Sequence, residues 1–355
     1  MKRRSIILLV TAVMLAGAVF IFSDRLHLQH WHSSDANPIP ARRISRDWMA
    51  PDSNLIPNTA EGALIRYGKK LIVHTSLYFG PKGQISQQAN GMNCQNCHLE
   101  AGTRNYANPF SGVAALYPMF RARSGRIESI EFKINECLER SLNGSKIDSA
   151  SMEMKSMLAY IKWVGTGVPK GSKPPSAGTV ELSPMNRAAD SGKGGIVFQL
   201  KCQSCHGRDG QGFLNAGQTA YVYPPLWGKH SYNTAAGMYR ISKLAGYVKY
   251  AMPFGTRYPA AQLSDAEIWD VAAFINSKPH PVKFFKYDWP SLKTKPLDYP
   301  FGPYDDSFSE KQHKYGPFAL IKEGREALTM GKGNTKAFLI FLCNNQDNNQ
   351  GSAYL

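Results

Sequence analysis

Cys94-Gln95-Asn96-Cys97-His98 and Cys202-Gln203-Ser204-Cys205-His206 are two copies of one pattern, CxxCH. Two thiols three positions apart add to the two vinyl groups of one haem, and the next residue places an imidazole under the iron. A zinc site would want further Cys or His at a compatible spacing, and a redox dithiol has no need of the His. The chain is therefore expected to carry two covalently bound haems c, on Cys94, Cys97, His98 and on Cys202, Cys205, His206. The two histidines stand a domain's length apart, so the repeat is one of domains rather than of a solenoid unit.

Working outward, each motif sits in a similar block: a helix, the motif, a long loop, and a last amphipathic helix. In the first block Ala63, Leu64, Tyr67, Leu71 and Ile72 recur at helical spacing, and Gly68 suits a close helix crossing. Its last helix is expected near Met152–Val164, with Met154, Met157, Leu158, Ile161 and Trp163 as apolar positions. The second block opens on a helix near Met185–Leu200 that contains Gly194 and Gly195. Its last helix starts at the capping-box pattern Ser264-Asp265-Ala266-Glu267 and is closed by Pro279. Strand signals are few. The long loops make sense once a haem supplies the core that a small helical domain otherwise lacks.

The expected organisation is mainly α, with haem-bearing domains at residues 59–168 and 185–281 joined by a Pro/Gly/Ser/Lys linker at 169–184. Residues 24–58 read as a proline-containing tether, and 282–355 as an irregular extension, aromatic and proline-rich as far as Phe318. At residues 1–23, Lys2, Arg3 and Arg4 precede an uncharged apolar run from Ile6 to Phe22. This fits either a cleaved export signal or an uncleaved anchor, with membrane attachment through residues 6–22 in the second case. Both send the rest of the chain to the periplasmic side. The net charge of +16 suits anionic substrates, acidic redox partners or an anionic membrane face. No nucleic-acid recognition motif accompanies it.

Each iron needs a sixth ligand or an open site. In the second block Met252, in Met252-Pro253-Phe254-Gly255, is the best candidate, ahead of Lys249 and His230. A Met–His pair raises the haem potential, which suits an exit haem. In the first block Met119 is an ordinary thioether candidate, while Met152, Met154 and Met157 fall on the expected helix and read as core. Six cysteines minus the four that hold haem leave Cys137 and Cys343. They form a disulfide, or Cys137 ligates the first iron as a thiolate. Arg121, Arg123, Arg126, Lys133 and Arg140 surround Cys137 in sequence and favour the thiolate. The same cations also read as a solvated face.

The segments Tyr117–Gly125, Ile134–Gly144, Tyr299–Tyr304 and Phe308–Phe318 carry a further signal. With the haem motifs, they make the chain resemble the dihaem thiosulfate dehydrogenase family over roughly residues 45–320. That family couples two thiosulfates into tetrathionate and often runs in reverse. The resemblance implies two fused class I cytochrome c folds, with His98/Cys137 at the active-site haem and His206/Met252 at the electron-transfer haem. It makes Cys137, Arg123, Lys133 and Ser141 the catalytic set, with Arg123 and Ser141 matching positions that contact substrate. Lys133 stands where the family typically has Arg, so charge is kept and bidentate contact is lost. Ala251 stands where some members have a ligating Lys, so no Lys/Met ligand switch is expected. Electrons would leave to an external redox partner, another cytochrome or similar acceptor.

Three rivals remain at this stage. A dihaem electron carrier predicts Met ligation at both irons. A haem subunit of a sulfur-oxidising complex needs a partner cytochrome and a sulfur carrier. A dihaem peroxidase is expected to be longer, with a different inter-haem segment.

Overall fold

The computed structural model describes residues 48–330 and the two-residue strand Arg42–Arg43. The apolar run at 6–22, Cys343 and the end of the extension lie outside the described residues, as does most of the tether. No helix among the described residues is long and apolar enough to cross a membrane.

The principal elements, one-turn helices aside, run in chain order. β1 is Arg42–Arg43, α1 Ala60–Val73, α2 Thr75–Phe79, β2 Met119–Arg121, β3 Arg126–Glu128, α3 Ile130–Arg140 and α4 Met152–Val164. After these come β4 Ser172–Lys173, α5 Ser191–Lys201, β5 Phe213–Leu214, β6 Tyr221–Tyr223, α6 Ile241–Ala251 and α7 Asp265–Ser277. Two further helices, α8 Glu310–Tyr315 and α9 Phe318–Met330, lie in the C-terminal segment. The strands pair two by two: β1 with β4 in parallel, and β2–β3 and β5–β6 as hairpins.

Side-chain caps start the helices. Thr59 accepts from the Gly62 amide, Ser129 from Phe132, Ser151 from Met154, and Asp190 from Gly192 and Lys193. Ser264 and Glu267 close the expected capping box, and α4 spans the expected residues. α5 begins at Ser191, not near Met185, because Asp190 takes the capping role. On α1 the buried positions are Gly62, Ile65, Gly68, Leu71 and Ile72, so Ala63 faces outward instead of into the core. Met154 and Met157 are fully buried as expected, but Met152 is 56% exposed. It is the first residue of α4 and looks away from the packed face.

Each half is organised by one crossing of its first and last helices. A Cβ at Gly68 would stand 1.9 Å from the Ser156 carbonyl oxygen of α4, and one at Gly194 would stand 1.9 Å from that of Asp270 on α7. Only glycine allows backbones so near. Leu71, Ile72, Phe79, Leu138, Met157, Tyr160 and Ile161 fill the first core, and Phe198, Ile268, Trp269, Ala272 and Ile275 the second.

The segments expected to be loose are packed down. In 169–184 the Ser176 side chain is fully buried, and Ser176 and Gly178 carbonyls accept from the Tyr106 and Asn108 amides. The C-terminal segment departs from the irregular extension expected of it. Residues 282–290 return to the first domain, where the Trp289 amide donates to the Arg123 carbonyl at 2.6 Å. α9 then docks on the second core through Phe318 and Ile321, with the Phe318 ring 5.8 Å from that of Trp269. Apolar residues three apart on α9 give it a face to bury, so it forms a helix.

Candidate active site

In each half a backbone carbonyl fixes the motif histidine. His98 Nδ1 donates to the Asn108 carbonyl at 2.7 Å, and His206 Nδ1 to the Pro224 carbonyl at 2.8 Å. A carbonyl only accepts, so Nδ1 carries the proton and Nε2 keeps the lone pair that binds a metal. Burial lowers the pKa of both imidazoles, which favours the neutral, ligating form. Asn108 also donates from its side chain to the Cys97 carbonyl at 3.2 Å. Sequence reasoning missed Asn108, whose φ of +55° is a conformation that asparagine tolerates better than most residues.

The donor sets fit the haems. Cys202, Cys205, His206 and Met252 all line a cavity of about 550 Å³ whose other walls are mostly apolar, among them Leu226, Leu244, Val248 and Ile275. Met252 follows the last residue of α6. Lys249, the weaker candidate, is engaged by Asp265 at 2.5 Å, and His230 is exposed. The same cavity is walled on its far side by Asn96, Cys97 and Leu99 of the first domain, so the two motifs are neighbours. Tyr247 of α6 donates to the Asn96 carbonyl at 3.0 Å across this junction.

At the first motif the donor set contains three thiols. Cys97 senses both Cys94 and Cys137 electrostatically, and burial pushes its thiol up to about 12. Met119, the thioether alternative, is half-buried on β2 and packs against the core. No disulfide joins any two cysteines among the described residues.

Lys133, Cys137 and Ser141 fall four apart along α3 and its cap, and so share one face. Arg123, from the β2–β3 turn, reaches the same place. The basic surroundings are less free than the sequence implies. Glu136, only 5% exposed, takes Lys133 at 2.7 Å, Arg140 Nε at 3.3 Å and Arg123 at 3.9 Å. Arg140 is also forked onto Asp288 at 2.6 and 2.8 Å. Burial consequently leaves the Cys137 thiol above its ordinary pKa, although Lys133, Arg123 and Arg140 pull it down. The expected thiolate thus draws on cations that Glu136 partly neutralises, and a metal would have to supply the remainder. Arg140 is structural, Arg121 and Arg126 are half-buried or exposed on the hairpin, and Arg126 lies 4.2 Å over the Phe132 ring. Helical spacing puts Glu136 three residues from Lys133 and four from Arg140, a pairing the sequence reading left unused, whereas no sequence pattern pointed to Asp288.

Comparisons with known proteins bear on the fold and the family. A family model described as SoxA/TsdA, cytochrome c domain, matches residues 84–169, and one described as cytochrome c matches 191–279. A thiosulfate dehydrogenase of Stutzerimonas stutzeri is 36% identical over 234 residues, 66% of this chain and 73% of that protein. One of Allochromatium vinosum is 38% identical over 236 residues, 65% of this chain and 84% of that protein. Among solved structures, the thiosulfate dehydrogenase (TsdBA) from Marichromatium purpuratum, in its as-isolated form, superposes with a TM-score of 0.61 at 28% identity. That match covers 74% of this chain and 55% of the other, so this chain spans about half the length of that protein. Each matched segment contains one CxxCH motif, and the chain carries two covalently bound c-type haems in two tandem cytochrome c domains.

Proposed function

The chain belongs to the thiosulfate dehydrogenase family, and from that premise we propose that it joins two thiosulfate ions into tetrathionate at Cys137. The observation that carries the reading is a third thiol, the half-buried Cys137, beside the Cys94/Cys97/His98 motif with Arg123 and Lys133 next to it. The electron carrier offers no use for such a group.

The haems supply what side chains lack, the acceptance of one electron each. Cys137, as thiolate, forms a sulfur–sulfur bond with the outer sulfur of the first thiosulfate, and two electrons leave. The outer sulfur of the second thiosulfate then attacks that same thiosulfate-derived sulfur. Tetrathionate departs, and the Cys137 thiolate is restored. Arg123 and Lys133 offset the repulsion between two dianions, a form of stabilisation that works best in a buried site. Ser141 offers a hydroxyl on the same face of α3. His98 and Cys137 are the proposed ligands of the first iron, and His206 and Met252 those of the second. The haem that His206 and Met252 would hold would supply the exit for electrons to an external redox protein on the periplasmic side, and the reverse reaction would use the same residues.

Spin-resonance and near-infrared spectra of the oxidised holoprotein test this. A low-spin His/thiolate signal is expected, and Cys137→Met should abolish it. Cys137→Ala should lower thiosulfate oxidation at least about a thousandfold, the scale on which losing a nucleophile registers. Two His/Met signals, untouched by the substitution, would sink the proposal.

A further inference from the structure

α6 leads directly into Met252, the ligand proposed for the second iron, yet two of the bonds that hold this helix come from the first domain. Tyr247, 5% exposed, donates from its hydroxyl to the Asn96 carbonyl at 3.0 Å. Asn96 lies inside the first CxxCH motif, between Cys94 and Cys97. Arg104, 4% exposed, donates to the Tyr250 carbonyl at 3.3 Å. That carbonyl is one of the last four of α6, which a helix leaves without a donor of its own. A cation also suits the negative end of the helix dipole. Glu100, the acidic residue nearest to Arg104 in sequence, pairs with Arg257 at 2.6 Å instead.

Packing follows the same line. Leu99 and Ala107 of the first domain form one small core with Tyr247 and Ala251 of α6, and Met238 and Met252 pack against it. Leu99 follows His98, and Ala107 precedes Asn108, whose carbonyl holds His98. The loop from His98 to Asn108 thus meets α6 along its side, at its carbonyl end and beside the proposed ligand.

We propose that Tyr247 and Arg104 are positioning residues for the second haem, which hold Met252 in reach of iron by fastening α6 to the attachment loop of the first. This rests on the reading of Met252 as ligand and adds to it what keeps the ligand in place. A thioether is uncharged and a weak donor of electrons, so its hold on iron depends on how firmly the chain presents it. The second haem would keep its Met ligand, and the raised potential that goes with it, only while the two domains stay docked.

Tyr247→Phe keeps the ring in the cavity wall and removes the hydroxyl. Imidazole competes with Met252 for the second iron, and loss of the Met–iron charge-transfer band of the oxidised holoprotein follows the exchange. The midpoint concentration of imidazole should fall about fivefold in Tyr247→Phe, the factor that one hydrogen bond contributes when its loss eases the ligand-off state. A bond that served only overall stability would lower the unfolding temperature and leave this midpoint where it is. An unchanged midpoint in a folded variant with the wild-type band would overturn the proposal. Should the variant not fold, the wild type answers by reciprocity. Imidazole at concentrations that displace Met252 should speed amide exchange at Leu99, Gly102 and Arg104, whose hydrogen bonds close the first-domain loop. Unchanged exchange there would equally overturn it. A wild type with no Met–iron band sinks the reading of Met252 as ligand instead.

Discussion

In the first domain α1 crosses α4 over Gly68, and in the second α5 crosses α7 over Gly194, with the same 1.9 Å approach to a carbonyl in each. Each motif histidine is held by one carbonyl at nearly the same distance, 2.7 and 2.8 Å. The domains diverge at the helix that carries the proposed sixth ligand. α6 ends at Met252 beside an apolar cavity, whereas α3 carries Cys137 among Lys133, Glu136 and Arg140. One scaffold would therefore support two chemistries, because the crossing and the histidine clamp leave the second proposed ligand of each haem to a separate element. A polar, charged face there suits a dianionic substrate, and an apolar one suits a haem that only passes electrons.

The C-terminal arm repeats the contrast. Asp288 forks onto Arg140 in the first domain, and Asp298 binds Arg240 and Ser242 in the second. The first pair encloses its arginine more, with 7% side-chain exposure for Arg140 against 18% for Arg240, and it braces the charged site. Asp288→Asn should therefore cost about 3 kcal/mol, the low end for breaking a buried pair, because Arg140 keeps Glu136 as its one carboxylate partner among the described residues. Urea denaturation of the holoprotein measures it. A loss below about 1 kcal/mol would mean that the arm does not brace the first domain.

The glycine crossings come next. Gly68→Ala and Gly194→Ala should each cost about 2 kcal/mol through overpacking against backbone, which yields less readily than a side chain. Equal losses sharpen the view of one scaffold used twice, and a large difference would break it.

The smallest effect is a pH dependence. Burial works to raise the Asp298 carboxyl, but Arg240 and Ser242 outweigh it and hold the group below the usual carboxylate range. A depressed folded pKa stabilises above the unfolded value of about 4 and is lost as pH falls through the folded value. The wild type should lose stability below about pH 4 more steeply than Asp298→Asn, as followed by thermal unfolding across that range. Parallel curves would show that Asp298 is not a net stabiliser.

Much of the scaffold was legible in the residues. The motifs set the cofactor chemistry, Gly68 announced its crossing, and the Ser264–Glu267 box and the apolar spacing of α4 marked their helices. Such signals are local: a cap, a period, a missing side chain. The expected start of α5 near Met185 fell six residues early, because the Asp190 cap that fixes it at Ser191 was not used in placing it. The outward turn of Ala63 was missed because two neighbouring stripes share α1, and burial of Ile65 decided between them.

The sequence by itself determined two haem attachments, two helical halves with a glycine crossing in the first, and a spare cysteine within a basic stretch. These follow from covalent chemistry and from periodicities that hold wherever the segment ends up. Only the tertiary structure decided that Arg123 joins the cations on Glu136, that Asn108 and Pro224 clamp the histidines, and that an arm beyond the second domain returns Asp288 and Trp289 to the first. Charge pairing and burial depend on distances between residues far apart in the chain, and no local pattern encodes those distances.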